Sequence, residues 1–169
     1  DYVNQDIFAG NGLQQSAYDQ PTQVIPNRAE FYQLKDSQVL HAADVDLSHV
    51  SAAGAYLSSA EDLHKWFRLL VNGELINPTL VNQAFSPKPL PDGSETQCGL
   101  GFNKTSIQGQ SYIWHTGLTP GAQSAFGYAE DSQIFVVVLS NLFYWPADTG
   151  ELVDKMMTVM LTGDATTDE

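Results

Sequence analysis

Apolar residues recur at helical spacing in three stretches of the chain and condense into short β-prone runs in another. After Ser58-Ser59, either of which can cap a helix with Glu61 or Asp62 three positions on, Ala60, Leu63, Phe67 and Leu70 fall on one face with Trp66 beside them. That face is expected to be core, and Asn72-Gly73 ends the run. Asn77-Pro78 opens a second, shorter helix, expected to bury Leu80, Val81, Ala84 and Phe85 before Pro87, Pro89 and Pro91 stop it. A turn follows at Asp92-Gly93. Beyond Thr96 the β-prone runs are Cys98–Lys104, Tyr112–Thr116, Ser124–Ala129 and Gln133–Leu139, separated by Gly109, Gly117-Leu118-Thr119-Pro120-Gly121 and Glu130-Asp131-Ser132. They predict an antiparallel meander. A closing helix, capped by Asp148 or Thr149 and ended by Gly163, is expected to pack on it through Leu152, Val153, Met156, Val159 and Met160.

The beginning of the chain is less regular. Tyr2, Val3, Ile7 and Phe8 fit the last turns of a helix that Gly10-Asn11-Gly12 ends, so a preceding segment is expected. From Ser16 to His49 no period is sustained and Pro21 and Pro26 intervene, which predicts a long irregular excursion with a short strand at Glu30–Leu34. The fold class is α+β, with a helical and loop region over 1–95, antiparallel strands and a closing helix over 96–163, and a polar tail at 164–169 expected to fray.

A chain of 169 residues with 43% hydrophobic content can bury one core. Twenty acidic against seven basic residues give a formal charge of −13, which repels phosphate backbones and anionic lipid, so neither nucleic acid nor a membrane surface is an expected partner. No run of eighteen apolar residues occurs, and Asp1–Asp6 has no secretory-signal character. The lone Cys98 has no neighbouring base or cation and reads as a structural thiol.

Chemistry-bearing groups are sparse. His41, His49, His64 and His115 do not pair at helical metal-ligand spacing, and no metal or cofactor is expected. The carboxylates are scattered, as on a solvated surface. No Gly-x-Ser-x-Gly occurs, and no serine has lysine three residues later. Tyr2-Val3-Asn4 matches Tyr-x-Asn, but within an apolar helical pattern it reads as accidental. The unusual stretch is Trp114-His115-Thr116-Gly117-Leu118-Thr119-Pro120-Gly121, where a β-prone run ends in imidazole, hydroxyl and glycines that permit close approach of a ligand. Such a strand end can hold an oxyanion or carboxylate; His115 as a structural histidine and Thr116 as a strand former are the plain alternatives.

Several stretches taken in order resemble the serine β-lactamase-like superfamily, in particular its class C β-lactamase, D-alanyl-D-alanine carboxypeptidase and esterase branches. They are Ile7-Phe8 with Asn11-Gly12-Leu13; Ile25-Pro26-Asn27-Arg28-Ala29 with Tyr32; Ala53-Gly54 leading to Ser58–Leu63 and Trp66; Gly99-Leu100-Gly101-Phe102; His115-Thr116-Gly117 with Pro120-Gly121; and Val136–Asn141. The resemblance covers nearly the whole chain and implies an acyl-serine hydrolase of β-lactams, D-alanyl peptides or esters, periplasmic or secreted. It makes His115-Thr116-Gly117 the strand element bordering the active site, with the Leu118 N–H in the oxyanion hole and all four residues as the substrate-binding set. The family's Ser-x-x-Lys and Tyr-x-Asn are absent from the chain, so no catalytic residue is assigned and the chain alone is expected to be inactive, a C-terminal portion of such a hydrolase. By the same resemblance, N-terminal strands complete the sheet beside Gln133–Leu139. Without them that apolar edge is expected to self-associate, exchange strands or bind the missing half. The rival reading is a non-catalytic binding module that uses the His115–Gly121 pocket or the open edge.

Overall fold

The computed structural model describes residues 2–20, 22–143 and 148–163. A π-helical segment Val3–Phe8 and a 3-10 turn Ala9–Asn11 lead to the short strand β1 (Ala17–Tyr18). The hairpin strands β2 (Tyr32–Lys35) and β3 (Gln38–His41), a 3-10 segment Ser48–Ala53 and β4 (Tyr56–Leu57) follow. Helices α1 (Ala60–Val71) and α2 (Pro78–Phe85) precede the strands β5 (Asn103–Ile107), β6 (Gln110–Thr119), β7 (Ala122–Ala129), β8 (Ile134–Ser140) and β9 (Leu142–Phe143), and α3 (Thr149–Thr162) closes the described chain. This is the α+β order that the pattern predicts. The tail 164–169 lies outside the described residues.

The chain divides into two compact units, one drawn from Asp1–Arg68, Gly117–Gln123 and Leu139–Pro146, the other from Leu69–Thr116, Ser124–Val138 and Ala147–Glu169. In the first, β1 pairs with β4, and β2 lies between β3 and β9. The expected irregular excursion after Ser16 therefore contains a hairpin. Its turn residues Asp36 and Ser37 both take positive φ, a conformation that two-residue hairpin loops require and that Asn-Gly signals more openly. Leu13, Ala55 and Phe67 are buried here. So is Asp62, whose carboxylate accepts the Gln15 N–H at 2.7 Å and the Ser16 hydroxyl at 2.9 Å, while Ser59 caps α1 by accepting the Asp62 N–H. Asp62 thus takes an inward position, whereas Ala60, expected in the core, is exposed. Arg28 grips buried Asp19 through two hydrogen bonds of 3.1 and 3.0 Å and lies over the Phe31 ring. The two bonds pin the proline-rich excursion.

The second unit holds the larger part of a sheet in the order β5-β6-β7-β8, the predicted meander. Its α3-facing core is Tyr112, Ala125, Ala129, Val136, Val153 and Met157. Phe126 instead meets Phe102 and Phe135, showing the alternation of side chains between faces. In α3 the buried residues are Thr149, Val153 and Met157, while Met156, Val159 and Met160, expected to pack on the sheet, are exposed. In α2, Val81 and Phe85 are buried; Leu80, expected beside them, is exposed because the helix uses a single narrow face. The run Cys98–Lys104 is not one strand: Gly99 N–H bonds Phe102 C=O in a turn, and β5 starts at Asn103. Cys98 is exposed rather than packed. Among the described residues no helix is long and apolar enough to cross a membrane.

Candidate functional site

The hairpin β5–β6 turns on Gln108-Gly109, both at positive φ, with Ile107 opposite Gln110 and Asn103 opposite Trp114. In a two-residue hairpin the closing pair exchanges both hydrogen bonds, and every second residue repeats that orientation. The N–H and C=O of Gln110, Tyr112 and Trp114 therefore face β5. Thr116 and Leu118 continue the same phase, and β6 runs to Thr119 while β5 begins opposite Trp114. Their backbone groups point to the side of β6 that lies past the end of β5.

All four predicted binding residues lie on this projecting part of β6. The stretch Gly117-Leu118-Thr119, expected to separate two strands, is strand, and the turn contracts to Pro120-Gly121. His115, Thr116, Gly117 and Leu118 are exposed, Leu118 at 65%. Alternation divides them. Trp114 and Thr116 are on the α3 side, where with Asp148, Gly150, Glu151 and Asp154 they help line a cavity of about 330 Å³. His115 belongs to the opposite face, so the imidazole and the Thr116 methyl do not converge. What the four residues share is the exposed strand backbone.

Asp148, read from the sequence as one of two possible caps, accepts the Gly150 N–H at 2.6 Å and the Glu151 N–H at 3.3 Å. This sets the first turn of α3 against Thr116: a Cβ on Gly150 would lie 3.0 Å from Thr116 Cγ2. Tyr112, on the same face of β6, donates its hydroxyl to Asp154 at 2.5 Å. Burial, then this bond, pushes the Tyr112 phenol well above its ordinary value. The buried Trp114 Nε1–H finds no acceptor among the described residues. Sequence reasoning missed the Tyr112–Asp154 pair, since 42 residues separate its members and neither belongs to a motif. No group of three or more His, Cys, Asp or Glu among the described residues is arranged to hold a metal.

The beta-lactamase family model matches residues 1–156. The chain belongs to the beta-lactamase family. It is similar to a putative penicillin-binding protein of Bacillus subtilis (strain 168), with 26% identity over 141 residues, covering 83% of this chain and 34% of that protein. Among solved structures, it is similar to a D-stereospecific amidohydrolase from Streptomyces sp., at 19% identity with a TM-score of 0.75, covering 96% of this chain and 48% of that one. It is also similar to an octameric penicillin-binding protein homologue from Pyrococcus abyssi, at 18% identity with a TM-score of 0.76, covering 96% and 37%. A D-amino acid amidase from Ochrobactrum anthropi gives 19% identity and a TM-score of 0.71, covering 94% and 48%. The fold is therefore that of beta-lactamase and penicillin-binding-protein hydrolases. The chain spans about a third of the length of the curated relative and less than half of these solved chains.

Proposed function

We propose that this chain is the carbonyl-binding wall of an acyl-serine hydrolase, with the nucleophilic Ser-x-x-Lys supplied by a segment of the polypeptide outside these 169 residues. The observation that carries the reading is the projecting end of β6, where the Leu118 N–H extends past β5 on an exposed strand. A substrate carbonyl laid along that side receives the Leu118 N–H as its oxygen becomes negative, the interaction that lowers an acyl-transfer barrier. Thr116, one backbone repeat earlier, offers an N–H on the same side, suited to a second polar group of an extended substrate. The substrate class is a β-lactam, a D-alanyl peptide, or an amide or ester of a D-amino acid. The names of the amidohydrolase and amidase neighbours support the amide end of that range.

The test removes the Leu118 N–H in the natural polypeptide, by Leu118→Pro and by an α-hydroxy-acid analogue that keeps the side chain. Acylation by a fluorescent penicillin or a D-amino acid anilide is expected to slow about 10²- to 10³-fold in both, while Leu118→Ala stays within about threefold. Equal rates for the hydroxy-acid analogue and Leu118→Ala would remove the role assigned to this N–H. Ligand binding without any acyl adduct would favour the non-catalytic binding module.

A further inference from the structure

The end of β6 that carries Leu118 pairs with β7 on one side, while on the other β5 begins only opposite Trp114 and leaves it open. Its connection to β7 is the pair Pro120-Gly121. Two-residue hairpins favour turns whose first central residue takes positive φ, because that twist matches the flanking strands. Proline fixes φ near about −65° and forbids them. Pro120-Gly121, with Gly121 at φ +86°, is instead the residue pair of a type II turn, which splays the strands it joins. The turn alone therefore does not set where the strand end stands.

The turn rests on a seat built by the excursion before β2 and the residue after β3. A Cβ added to Gly121 would fall 2.4 Å from Phe31 Cβ and 2.8 Å from Ala42 Cβ, so the turn backbone lies against both side chains. The two seat residues are tied together, since the Ala42 N–H donates to the Phe31 carbonyl at 2.9 Å. The backbone on either side of Phe31 is tied to Asn141: the Tyr32 N–H donates to the Asn141 carbonyl at 2.9 Å, and the Asn141 side-chain amide donates to the Glu30 carbonyl at 2.9 Å. The Phe31 ring is covered by Arg28, whose guanidinium carbon stands 4.8 Å from the ring centroid. Arg28 is itself gripped, because Nε and Nη2 both donate to the buried Asp19 carboxylate, and the Asp19 N–H donates to the carbonyl of buried Ala55 at 2.9 Å. A two-point hold combined with stacking on a ring requires the planar fork of arginine; lysine keeps the charge and loses the geometry.

We infer that Arg28 is a positioning residue for the Leu118 N–H: gripped by Asp19, it fixes the Phe31 ring, and Phe31 with Ala42 seats the Pro120-Gly121 turn that directly follows Leu118-Thr119. Every residue in this chain of contacts belongs to the first compact unit. Arg28 touches no substrate and acts through the strand end. The inference rests on the role proposed above for the Leu118 N–H. An Arg–Asp pair that only stabilises the excursion would leave the placement of Leu118 unchanged when its geometry is altered.

The test is a double-mutant cycle in the natural polypeptide that combines Arg28→Lys, which keeps a cation opposite Asp19, with the α-hydroxy-acid analogue at Leu118. Acylation at saturating substrate is expected to slow about tenfold in Arg28→Lys with KM within about threefold, since a displacement of about 1 Å at a reacting group costs about 10²-fold. Once the Leu118 N–H is gone, the same substitution is expected to change the rate less than about twofold. Phe31→Leu, which keeps the Cβ against Gly121 and removes the ring under Arg28, is expected to give the same pattern without touching the ion pair. Where the analogue alone slows acylation, a tenfold loss in both backgrounds, or none in either, would overturn the assignment. Amide spectra of protein labelled with 15N-leucine and 15N-glycine read the seat without reference to acylation. The Leu118 and Gly121 signals are expected to move in Arg28→Lys while Gly163, beyond α3, stays in place; unmoved Leu118 and Gly121 signals would also overturn the assignment. Moved signals together with an undiminished rate for the analogue alone would remove the role of that N–H in acylation and leave the seat standing, so the two failures are distinguishable.

Discussion

The Tyr112 hydroxyl donates to the Asp154 carboxylate at 2.5 Å, joining the second strand of the meander to the middle of the closing helix across 42 residues of sequence. Tyr112→Phe leaves the ring packed and removes one bond to a charged acceptor, for an expected loss of about 1–2 kcal/mol. Because the folded state raises the Tyr112 pKa, the native protein holds this proton where the unfolded chain has released it. The contribution is complete below the ordinary tyrosine value of about 10 and is lost as pH rises from there toward the raised folded value. Thermal melts between pH 8 and pH 11 are expected to show an alkaline fall in Tm that is shallower in Tyr112→Phe.

Gly121 turns the chain between β6 and β7 at φ +86°, and a Cβ there would lie 2.4 Å from Phe31 Cβ and 2.8 Å from Ala42 Cβ. Gly121→Ala combines a left-handed backbone with a clash against backbone-anchored atoms, so about 2–4 kcal/mol of destabilisation is expected. Urea denaturation checks this through a lowered midpoint at an unchanged slope.

Asp62 is the buried acceptor for the Gln15 N–H and the Ser16 hydroxyl. Asp62→Ala strands the Gln15 N–H and leaves the Ser16 hydroxyl only Ser58 Oγ, at 2.9 Å, as partner, and is expected to cost about 2–3 kcal/mol, whereas Ser59→Ala, which removes a helix cap, costs about 1 kcal/mol. The two melts distinguish a buried polar anchor from an ordinary cap, and equal losses would assign Asp62 no role beyond the helix end.

Gly150→Ala places a methyl 3.0 Å from Thr116 Cγ2 and 2.8 Å from Asp148 Oδ1. Displacement of β6 at Thr116 is expected to slow acylation of the natural polypeptide about tenfold through misalignment of the strand. Single-turnover kinetics against the unmodified protein measure this directly.

The helices were legible because their ends are chemical. Asn77 accepts the Thr79 N–H as a cap, and Asp148, rather than Thr149, caps α3. The faces were less legible: the helical period pointed to Leu152, Val153, Met156, Val159 and Met160 and passed over Met157, and only packing on Gly127 selects which side meets the sheet. The strand expected at Glu30–Leu34 overlaps β2, but its hairpin partner β3 was hidden because Asp36-Ser37 lacks glycine and every residue of β3 is exposed. The strand bearing the candidate site could be read from Tyr112 to Thr116. Its continuation through Gly117 could not, since glycine is a poor strand former and register with β5 is a long-range property. The Asp19–Arg28 anchor left no periodic trace, both residues standing in the irregular stretch before β2.

The most direct test of the acyl-serine account is the intact mass of the natural polypeptide before and after exposure to a β-lactam or an activated D-amino acid ester, with the adduct located by peptide mapping. The account predicts a polypeptide longer than 169 residues carrying one acyl group, on a serine that has lysine three residues later and lies outside the sequence described here. An adduct on one of the serines within these 169 residues, or turnover with no adduct under trapping conditions, would contradict it.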